Sequence, residues 1–302
     1  MKRKYCISVI IPSFNSRNTI DLCLNSILNQ SYKGAYEIIV VDSSNDGTGK
    51  IIKDNFPTVK LIALQKKALP GEARNIGIIK SHSDYIAFTD ADCIVDYYWL
   101  ENIFKRLECG KFDGIGGVVA NGTPNSISGT LGYLNEFSFY LPHTKPGFVE
   151  SLGSGNVCYK RDIFDKIKFL ESSFAGEDTV FHWSIIDIGG KLFLDPSVKV
   201  THLNRKGLMK VVKHQNRMGK GASMARILMK RDLLLIEHPI ICILVLPFVR
   251  LLRMYHRVFM NDKKLFKKII FFFLLSIIIS YSWSFGFVFE ALTNRNIRAK
   301  SE

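Results

Sequence analysis

Short apolar runs alternate with helical patterns over the first 120 residues of the chain. The run EIIVVD at 37–42 is continuously apolar, as expected of a strand buried on both faces of a parallel sheet. In NTIDLCLNSILNQ, by contrast, apolar side chains recur every three or four positions and share one helical face. This alternation predicts a doubly wound α/β sheet, which binds ligands at the carboxyl ends of its strands. The predicted strands are 6–12, 37–42, 59–64 and 84–90, and the predicted helices are 18–30 and 71–82.

The middle of the chain is less regular. Residues 110–150 are rich in Gly, Asn, Ser, Thr and Pro, so we expect mostly loops there. Strand-like and helical patterns return over residues 151–203. We therefore place one α/β domain at residues 1–204.

The composition changes after residue 204. Residues 205–231 carry nine Lys or Arg and no acid, with Met, Val, Ile and Leu interleaved. This pattern predicts an amphipathic helix at a membrane surface over 205–232, followed by a hydrophobic region at 233–302.

Two apolar stretches lie in that hydrophobic region. Residues 269–288 hold no charge over 20 positions, and a helix of that length measures roughly 30 Å, the thickness of a bilayer core. We predict a membrane span there, with a buried soluble helix as the alternative. The stretch 233–252 contains Glu237, Pro239 and Pro247, and three possibilities stay open for it: a span, a re-entrant segment or an interfacial helix.

The formal net charge of +14 indicates an anionic partner. The basic tract is joined to apolar segments and not to stacking aromatics on a sheet, so we predict an anionic membrane surface and no nucleic acid. Six cysteines without a CxxC pair argue against a zinc site or a disulfide framework and fit a reducing cytosol.

Membrane orientation has two solutions. The link between the apolar stretches is basic, which would keep it cytoplasmic and make the first stretch re-entrant or interfacial. The tail at 293–300 is also basic, which favours a two-helix hairpin with both termini inside. We favour the hairpin.

Two carboxylates follow the predicted fourth strand, at Asp90 and Asp92. In an extended segment residues i and i+2 point the same way, so we expect the two side chains to converge. Two carboxylates ~5 Å apart repel by roughly 3 kcal/mol at an effective dielectric of 20. A hard cation such as Mg²⁺ or Mn²⁺ would remove that repulsion. The alternative is that one acid caps the next helix and the other is solvated.

Six segments of the chain, in order, form a set of known motifs. They are SVIIPSFN (8–15), EIIVVDSSNDGT (37–48), GEARNIG (71–77), DADC (90–93), GEDTVFHW (176–183) and VKVTHL (198–203). Over residues 5–205 this set resembles the family 2 glycosyltransferases. The resemblance implies a GT-A fold, which is a Rossmann-like α/β fold with a mostly parallel sheet, and it implies transfer of a sugar from a nucleotide-diphosphate donor.

The resemblance also implies roles for single residues. Asp178 would be the catalytic base, with the helix N-cap as its plainer interpretation. His202 would complete the metal shell, although a lone His is more often structural. Glu177 and Asn156 would contact acceptor or sugar. The basic tract at 205–231, and not the resemblance, suggests that Arg217 and Lys220 reach the donor diphosphate or a lipid phosphate, unless they are simply solvated. The nucleotide-sugar contacts would be Pro12, Asn15, Asp42, Arg74 and Asp90, and the metal ligands Asp90, Asp92 and His202.

The chain departs from the family pattern in two places. Asp42 is followed by Ser43 and Ser44, where the family often has a second acid. The polysaccharide synthases of the family carry Q-x-x-R-W, whereas HQNRMGKG offers Gln215 and Arg217 without a Trp. We therefore do not expect a long polymer as product.

The predicted function is inverting sugar transfer, dependent on Mn²⁺ or Mg²⁺, to a lipid-linked or membrane-proximal acceptor. A UDP-sugar is the favoured donor and a GDP-sugar the second. The catalytic domain should face the cytosol at the inner membrane. One alternative makes polyprenyl phosphate itself the acceptor, and another makes the protein an inactive membrane scaffold.

Overall fold

A computed structural model describes residues 5–171 and 174–294. The chain divides into two compact units, which we name the sheet unit and the helical unit. The sheet unit comprises residues 5–122, 142–171 and 181–203, and the helical unit comprises residues 123–141, 174–180 and 204–294. The predicted domain boundary at 204 thus lies at one of the points where the chain passes from the sheet unit to the helical unit.

One nine-stranded sheet forms the sheet unit, in the order β3-β2-β1-β4-β8-β6-β9-β5, with β7 paired to β9. The pairs β1–β2, β1–β4, β2–β3 and β6–β9 are parallel. The strands are β1 Tyr5–Ser13, β2 Tyr36–Asp42, β3 Lys60–Ala63, β4 Ser83–Thr89, β5 Cys93–Val95, β6 Gly114–Asn121, β7 Gly147–Val149, β8 Asn156–Lys160 and β9 Leu192–His202. The predicted α/β class with a mostly parallel sheet is confirmed.

Helices cover the sheet and build the helical unit. A 3₁₀ helix at Arg161–Asp165 follows β8. The helix α6 begins in the helical unit and continues into the sheet unit. The α-helices are α1 Ile20–Leu28, α2 Thr48–Asn55, α3 Pro70–Lys80, α4 Trp99–Glu108, α5 Ile127–Phe137, α6 Glu177–Asp187, α7 Leu208–Met229, α8 Leu233–Glu237, α9 Pro239–Asn261, α10 Lys263–Ile270 and α11 Phe273–Thr293.

The prediction of loops at 110–150 is wrong, because β6 and α5 lie there. β6 reads GIGGVVAN, and its glycines conceal from a hydrophobicity pattern a strand whose first six residues are buried. Gly117 is needed because β9 approaches closely: a Cβ there would lie 1.6 Å from the carbonyl oxygen of Val198. The register between β6 and β9 shifts at this point, between Gly117 and Val118.

The C-terminal apolar stretches are segmented differently from the prediction. Residues 269–288 are not one helix, since α10 ends at Ile270 and α11 begins at Phe273. Residues 233–252 divide between α8 and α9, and α9 contains Pro247. Among the described helices, α11 has the length and apolarity for a membrane crossing, with a mean hydropathy of 1.5. Residues 295–300, the larger part of the basic tail used for orientation, lie outside the described residues.

Glycines set the distance between α7 and α11 in the helical unit. A Cβ at Gly219 would lie 1.9 Å from the carbonyl oxygen of Trp283, and one at Gly286 would lie 2.0 Å from that of Asn216. The Asn216 side chain also donates a hydrogen bond to the carbonyl of Ser282, at 3.0 Å. The two backbones are therefore in direct contact.

Candidate active site

The two predicted acids lie in a tight turn after β4. The backbone N–H of Cys93 donates to the carbonyl of Asp90 at 2.9 Å, so the segment turns at once and is not extended. The expectation that both side chains point the same way rested on an extended segment, and the structure shows a turn. Asp90 lies beside Arg74, and Asp92 lies beside His202.

Asp92, Cys93 and His202 form a possible metal site. One donor atom from each residue lies within 4.8 Å of the other two. The Nε2 atom of His202 is 3.5 Å from Oδ1 of Asp92. Carboxylate and imidazole together suit a divalent transition ion such as Mn²⁺, and the thiol adds a softer donor. The residues present thus fit a divalent cation, and Asp90 is not one of the three.

Strand pairing brings this triad together. β5 begins at Cys93 and runs antiparallel to β9, so that Cys93 stands opposite His202. The N–H of Leu203 donates to the carbonyl of Asp92 at 2.8 Å. Two segments that are distant in sequence are therefore fixed by the sheet itself, and the site needs no flexible loop to form.

The thiol of Cys93 is buried. Burial, followed by the negative charges of Asp92 and Asp90, raises its pKa well above the ordinary value for cysteine. Both causes disfavour a free thiolate, since the anion would have to share a poorly solvated space with two carboxylates.

Gly155 allows the acidic turn to lie against the start of β8. A Cβ at this position would lie 2.6 Å from Oδ2 of Asp90 and 3.4 Å from Sγ of Cys93. The side chain of Thr89 donates to the carbonyl of Gly155 at 3.0 Å. The glycine therefore serves close approach to the acids.

Arg74 is buried beside Asp90, although it belongs to a helix start. Its Nη2 atom is 3.4 Å from Oδ1 of Asp90 and 3.1 Å from Oγ of Ser154, and only 3% of the residue is exposed. Its guanidinium carbon lies 5.5 Å from the ring centroid of Phe169. Arg74 is therefore not a solvated surface charge. Its N–H donors hold the carboxylate of Asp90 in place.

Hydrogen bonds join the loops that follow β1 and β2. Ser44 donates to Oδ1 of Asp42 at 2.5 Å and accepts from the N–H of Asn15 at 2.7 Å. Asn15 has a left-handed backbone, with φ 53, and its side chain accepts from the N–H of Asn45 at 3.2 Å. Pro12 lies one residue before the end of β1. Ser44, two residues after Asp42, thus orients the Asp42 carboxylate.

Asn156 has a different place from the predicted contact with sugar or acceptor. It is 1% exposed, accepts from Nε1 of Trp99 at 2.7 Å and donates to the carbonyls of Val118 and Val198. These bonds close the gap that the register shift leaves between β6 and β9. The geometry supports a structural role, because a ligand would have to replace bonds inside the core.

The predicted base lies in the helical unit, at the start of α6. Oδ1 of Asp178 accepts from the N–H of Thr179 at 2.7 Å, and Oε2 of Glu177 accepts from the N–H of Gly176 at 3.0 Å. The preceding loop packs directly on α7, since a Cβ at Gly221 would lie 1.2 Å from the carbonyl oxygen of Ala175. Both acids thus satisfy nearby backbone groups.

The two predicted phosphate contacts differ in environment. Arg217 is exposed on α7. Lys220 is partly buried, and its Nζ lies 4.4 Å from the ring centroid of Phe289 on α11. Neither position decides a phosphate role.

His182, one turn after Asp178 on α6, is buried in the sheet unit. Its Nε2 lies 2.5 Å from the hydroxyl of Tyr159, and its Nδ1 lies 3.3 Å from Oγ of Ser151. Burial, with a smaller contribution from the positive charge of Arg74, lowers the pKa of His182 from 6.5 to about 3. The ring is therefore neutral near pH 7.

Comparisons with known proteins give the family. The model of glycosyl transferase family 2 matches residues 8–168, which is more than half of the 302 residues. The chain belongs to this family. Glycosyltransferase AglE of Haloferax volcanii is 30% identical over 229 residues, covering 71% of this chain and 72% of that protein.

A further relative is named for a lipid-phosphate acceptor. The dolichyl N-acetyl-α-D-glucosaminyl phosphate 3-β-D-2,3-diacetamido-2,3-dideoxy-β-D-glucuronosyltransferase of Methanococcus voltae is 29% identical over 231 residues. The match covers 68% of this chain and 70% of that protein.

Solved structures confirm the GT-A fold. The mannosyltransferase PcManGT of Pyrobaculum calidifontis, in complex with GDP-Man and Mn²⁺, matches 98% of this chain and 88% of its own, with a TM-score of 0.65 and 16% identity. TarS 1–349 of Staphylococcus aureus, in complex with UDP-GlcNAc, matches 93% and 90%, with a TM-score of 0.52 and 16% identity. At these identities the likeness concerns the fold alone.

Sequence reasoning missed Cys93 and Ser154. Cys93 directly follows Asp92, and the cysteine spacing alone gives no reason to count it among the site residues. The turn at 90–93 was the missing information, because it places the thiol beside the same space as Asp92. Ser154 gave no signal in the sequence beyond its Gly-rich neighbours.

Proposed function

We propose that this glycosyltransferase uses a nucleotide-diphosphate sugar and a divalent cation, inverts the anomeric centre, and acts on a lipid-linked or membrane-proximal acceptor. The observation that carries the metal dependence is the donor triad of Asp92, Cys93 and His202. Mn²⁺ is the first choice, because an imidazole ligand suits it better than Mg²⁺. PcManGT, which has the same fold, holds Mn²⁺ with its GDP-sugar.

The chain's residues take separate tasks in this proposal. The cation supplies Lewis acidity that neutralises charge on the leaving diphosphate. Asp92 and His202 hold it, with Cys93 beside them. Arg74 keeps Asp90 oriented for a ribose or diphosphate oxygen, and Asp42 accepts a hydrogen bond from the base. Asp178 takes the proton from the acceptor hydroxyl.

Membrane attachment is supported by an exposed apolar surface on α9, α10 and α11. Large apolar side chains there are strongly exposed, among them Leu252 at 70%, Phe271 at 85% and Leu274 at 75%. Patches of this kind mark membrane or protein contacts. Lys263, Lys264, Lys267 and Lys268 on α10 add the positive charge that anionic lipids attract.

The test is donor turnover by the full chain in detergent or vesicles. Nucleotide release from UDP- and GDP-sugars is measured with and without Mn²⁺, for the wild type, Asp92→Ala and Asp178→Asn. We expect Asp92→Ala to lose the Mn²⁺ response, and Asp178→Asn to bind donor normally while transfer falls by at least a hundredfold. Equal turnover by the wild type and Asp92→Ala would instead favour the inactive scaffold.

A second candidate keeps the chemistry and changes the acceptor to polyprenyl phosphate itself. The Methanococcus voltae relative is named for transfer to a sugar already linked to dolichyl phosphate, so its name supports a lipid-linked acceptor and not this second candidate. Its product would be a sugar phosphodiester that mild acid cleaves. A product stable to mild acid would exclude this candidate.

A further inference from the structure

A buried aromatic stack lies in the helical unit. Trp283 and Phe287 are one turn apart on α11, and their ring centroids lie 5.3 Å apart at an interplanar angle of 19°. Both rings belong to an apolar cluster with residues of α7, α8 and α9. Such surroundings offer little solvation to any charge near the rings.

Each ring of this stack has a guanidinium group beside it. The Cζ atom of Arg250, from α9, lies 3.9 Å from the centroid of Trp283. That of Arg226, from α7, lies 5.8 Å from the centroid of Phe287. Stacking satisfies the face of a guanidinium but leaves the N–H donors at its edge, and these match the geometry of phosphate oxygens.

The two arginines differ in their polar partners. Arg226 is 3.4 Å from the carboxylate of Asp232, and its Nη1 donates to the carbonyl of Ala222 at 3.0 Å. Among the described residues, Arg250 forms no ion pair, and its buried Nε has no acceptor. The sequence of α9 contains three arginines and no acid that would neutralise it.

Two hydroxyl groups on α11 and α7, the helices that carry the stack and Arg226, also lack partners within the described parts of the chain. Ser284 adjoins Trp283 on α11, and Ser223 precedes Arg226 by three residues on α7. The Oγ atoms of both are buried without a hydrogen bond. Elsewhere on α11 the buried serines are bonded: Ser280 donates to the carbonyl of Pro247 at 2.9 Å, and Ser276 lies 3.2 Å from the hydroxyl of Tyr255.

Arg250, a partly buried cation whose Nε is buried and unpaired, and two buried hydroxyls without acceptors together favour an anion. An unpaired buried charge destabilises a fold, and burial is tolerated when a counter-charge with several acceptor oxygens is supplied. An ionisable residue among apolar helices is by default a functional position. A phosphate offers the negative charge and the acceptors at once.

The surroundings favour a lipid as the source of that phosphate. Exposed apolar side chains lie along the same two helices, including Leu244 and Phe248 on α9 and Phe285 and Phe289 on α11. A soluble phosphate would leave these apolar side chains exposed, whereas the isoprenoid or acyl chain of a lipid would bury them. We propose that Arg250, with Arg226 and the hydroxyl of Ser284, binds the phosphate of a phosphorylated lipid. A phosphorylated lipid would then be the acceptor class, and only this identification of the lipid as acceptor rests on the proposed function.

The test measures binding without donor or metal. The full chain in detergent is titrated with farnesyl phosphate, farnesol and inorganic phosphate, and the dissociation constants are obtained by microscale thermophoresis. We expect farnesyl phosphate to bind at least tenfold more tightly than either farnesol or inorganic phosphate. Arg250→Gln should weaken it about tenfold, as expected for loss of one charge-assisted hydrogen bond.

Matched variants separate binding from folding. Arg253→Gln removes an exposed arginine of the same helix and should leave the affinity unchanged. Arg250→Lys keeps the charge but loses the planar fork, so it should weaken binding severalfold even if Arg250→Gln fails to fold. Unchanged affinity in both Arg250 variants would overturn the proposal, as would a lower melting temperature without weaker binding. Inorganic phosphate binding as tightly as farnesyl phosphate would overturn the lipid assignment.

A second measurement distinguishes this inference from the proposed function. The Mn²⁺-dependent thermal shift with UDP- and GDP-sugars is recorded on the same variants. Absence of a donor response, with Arg250-dependent lipid binding intact, would refute the proposed function alone. A normal donor response with lipid binding that ignores Arg250 would refute the inference alone.

Discussion

His182 should make the sheet unit sensitive to mild acid. In the unfolded chain its imidazole takes up a proton near pH 6.5, whereas in the folded chain burial lowers the pKa to about 3. Between these values the unfolded state binds more protons, so stability rises with pH and is lost as pH falls below 6.5.

The magnitude follows from the size of the shift. Each pKa unit corresponds to ~1.4 kcal/mol, so that at pH 5 the unfolded state gains about 2 kcal/mol from protonation of this one residue. For a domain of 150–250 residues this corresponds to a fall in melting temperature of roughly 4–8 °C. Burial of the ring, with a smaller contribution from the positive charge of Arg74, disfavours protonation in the folded state only, so the free-energy cost falls on that state.

The assay is differential scanning fluorimetry of the full chain at pH 7, 6 and 5. His182→Gln keeps a polar partner for Tyr159 but does not titrate, so its melting temperature should fall less between pH 7 and pH 5 than that of the wild type. His82→Gln, at an exposed position, is the matched control and should follow the wild type. Identical slopes for the wild type and His182→Gln would refute the reasoning.

Three further predictions concern the site. Gly155→Ala places a Cβ 2.6 Å from the Asp90 carboxylate, so Mn²⁺ titrations followed by thermal shift should show at least tenfold weaker binding; an unchanged midpoint would contradict this. Gly221→Ala must move the Ala175 carbonyl, and a displacement of Asp178 by about 1 Å should lower kcat about a hundredfold with the donor KM unchanged. The control is Gly132→Ala, whose Cβ would meet the Val211 side chain at 3.2 Å. Equal kcat values in the two variants would show that the loop before α6 does not affect catalysis. His202→Ala should abolish the thermal shift caused by Mn²⁺ while retaining the fold, and a full Mn²⁺ shift would exclude this ligand.

The parallel half of the sheet could be predicted from sequence because its signal is local. β1, β2 and β4 are continuous apolar runs, and polar residues follow each of them, so the pattern alone places Asp42 and Asp90 at one edge. β6 could not be predicted in the same way. Its glycines are explained by close contacts with β8, β9 and Leu152, and a contact between distant segments leaves no periodicity in the sequence of either segment.

The candidate site shows the same contrast between local sequence motifs, which could be recognised, and contacts between distant segments, which could not. Asp92 and His202 could be proposed from motifs, but the pairing of Cys93 with His202 across two strands decides which donors come together. The direction of Asp90 depended on a turn that the extended-strand assumption excluded. The core role of Asn156 arises from the register shift between β6 and β9, which no single segment of the sequence contains.

The thiol beside Asp92 and His202 has a practical consequence for anyone purifying this enzyme. Sulfur and imidazole prefer Zn²⁺, Ni²⁺ and Cu²⁺ to Mn²⁺, so a triad of this kind retains whichever of these ions it meets first. If the triad holds Mn²⁺ as proposed, passage over a nickel resin would load it with Ni²⁺, and a preparation that looks inactive would recover after chelation and reloading with Mn²⁺.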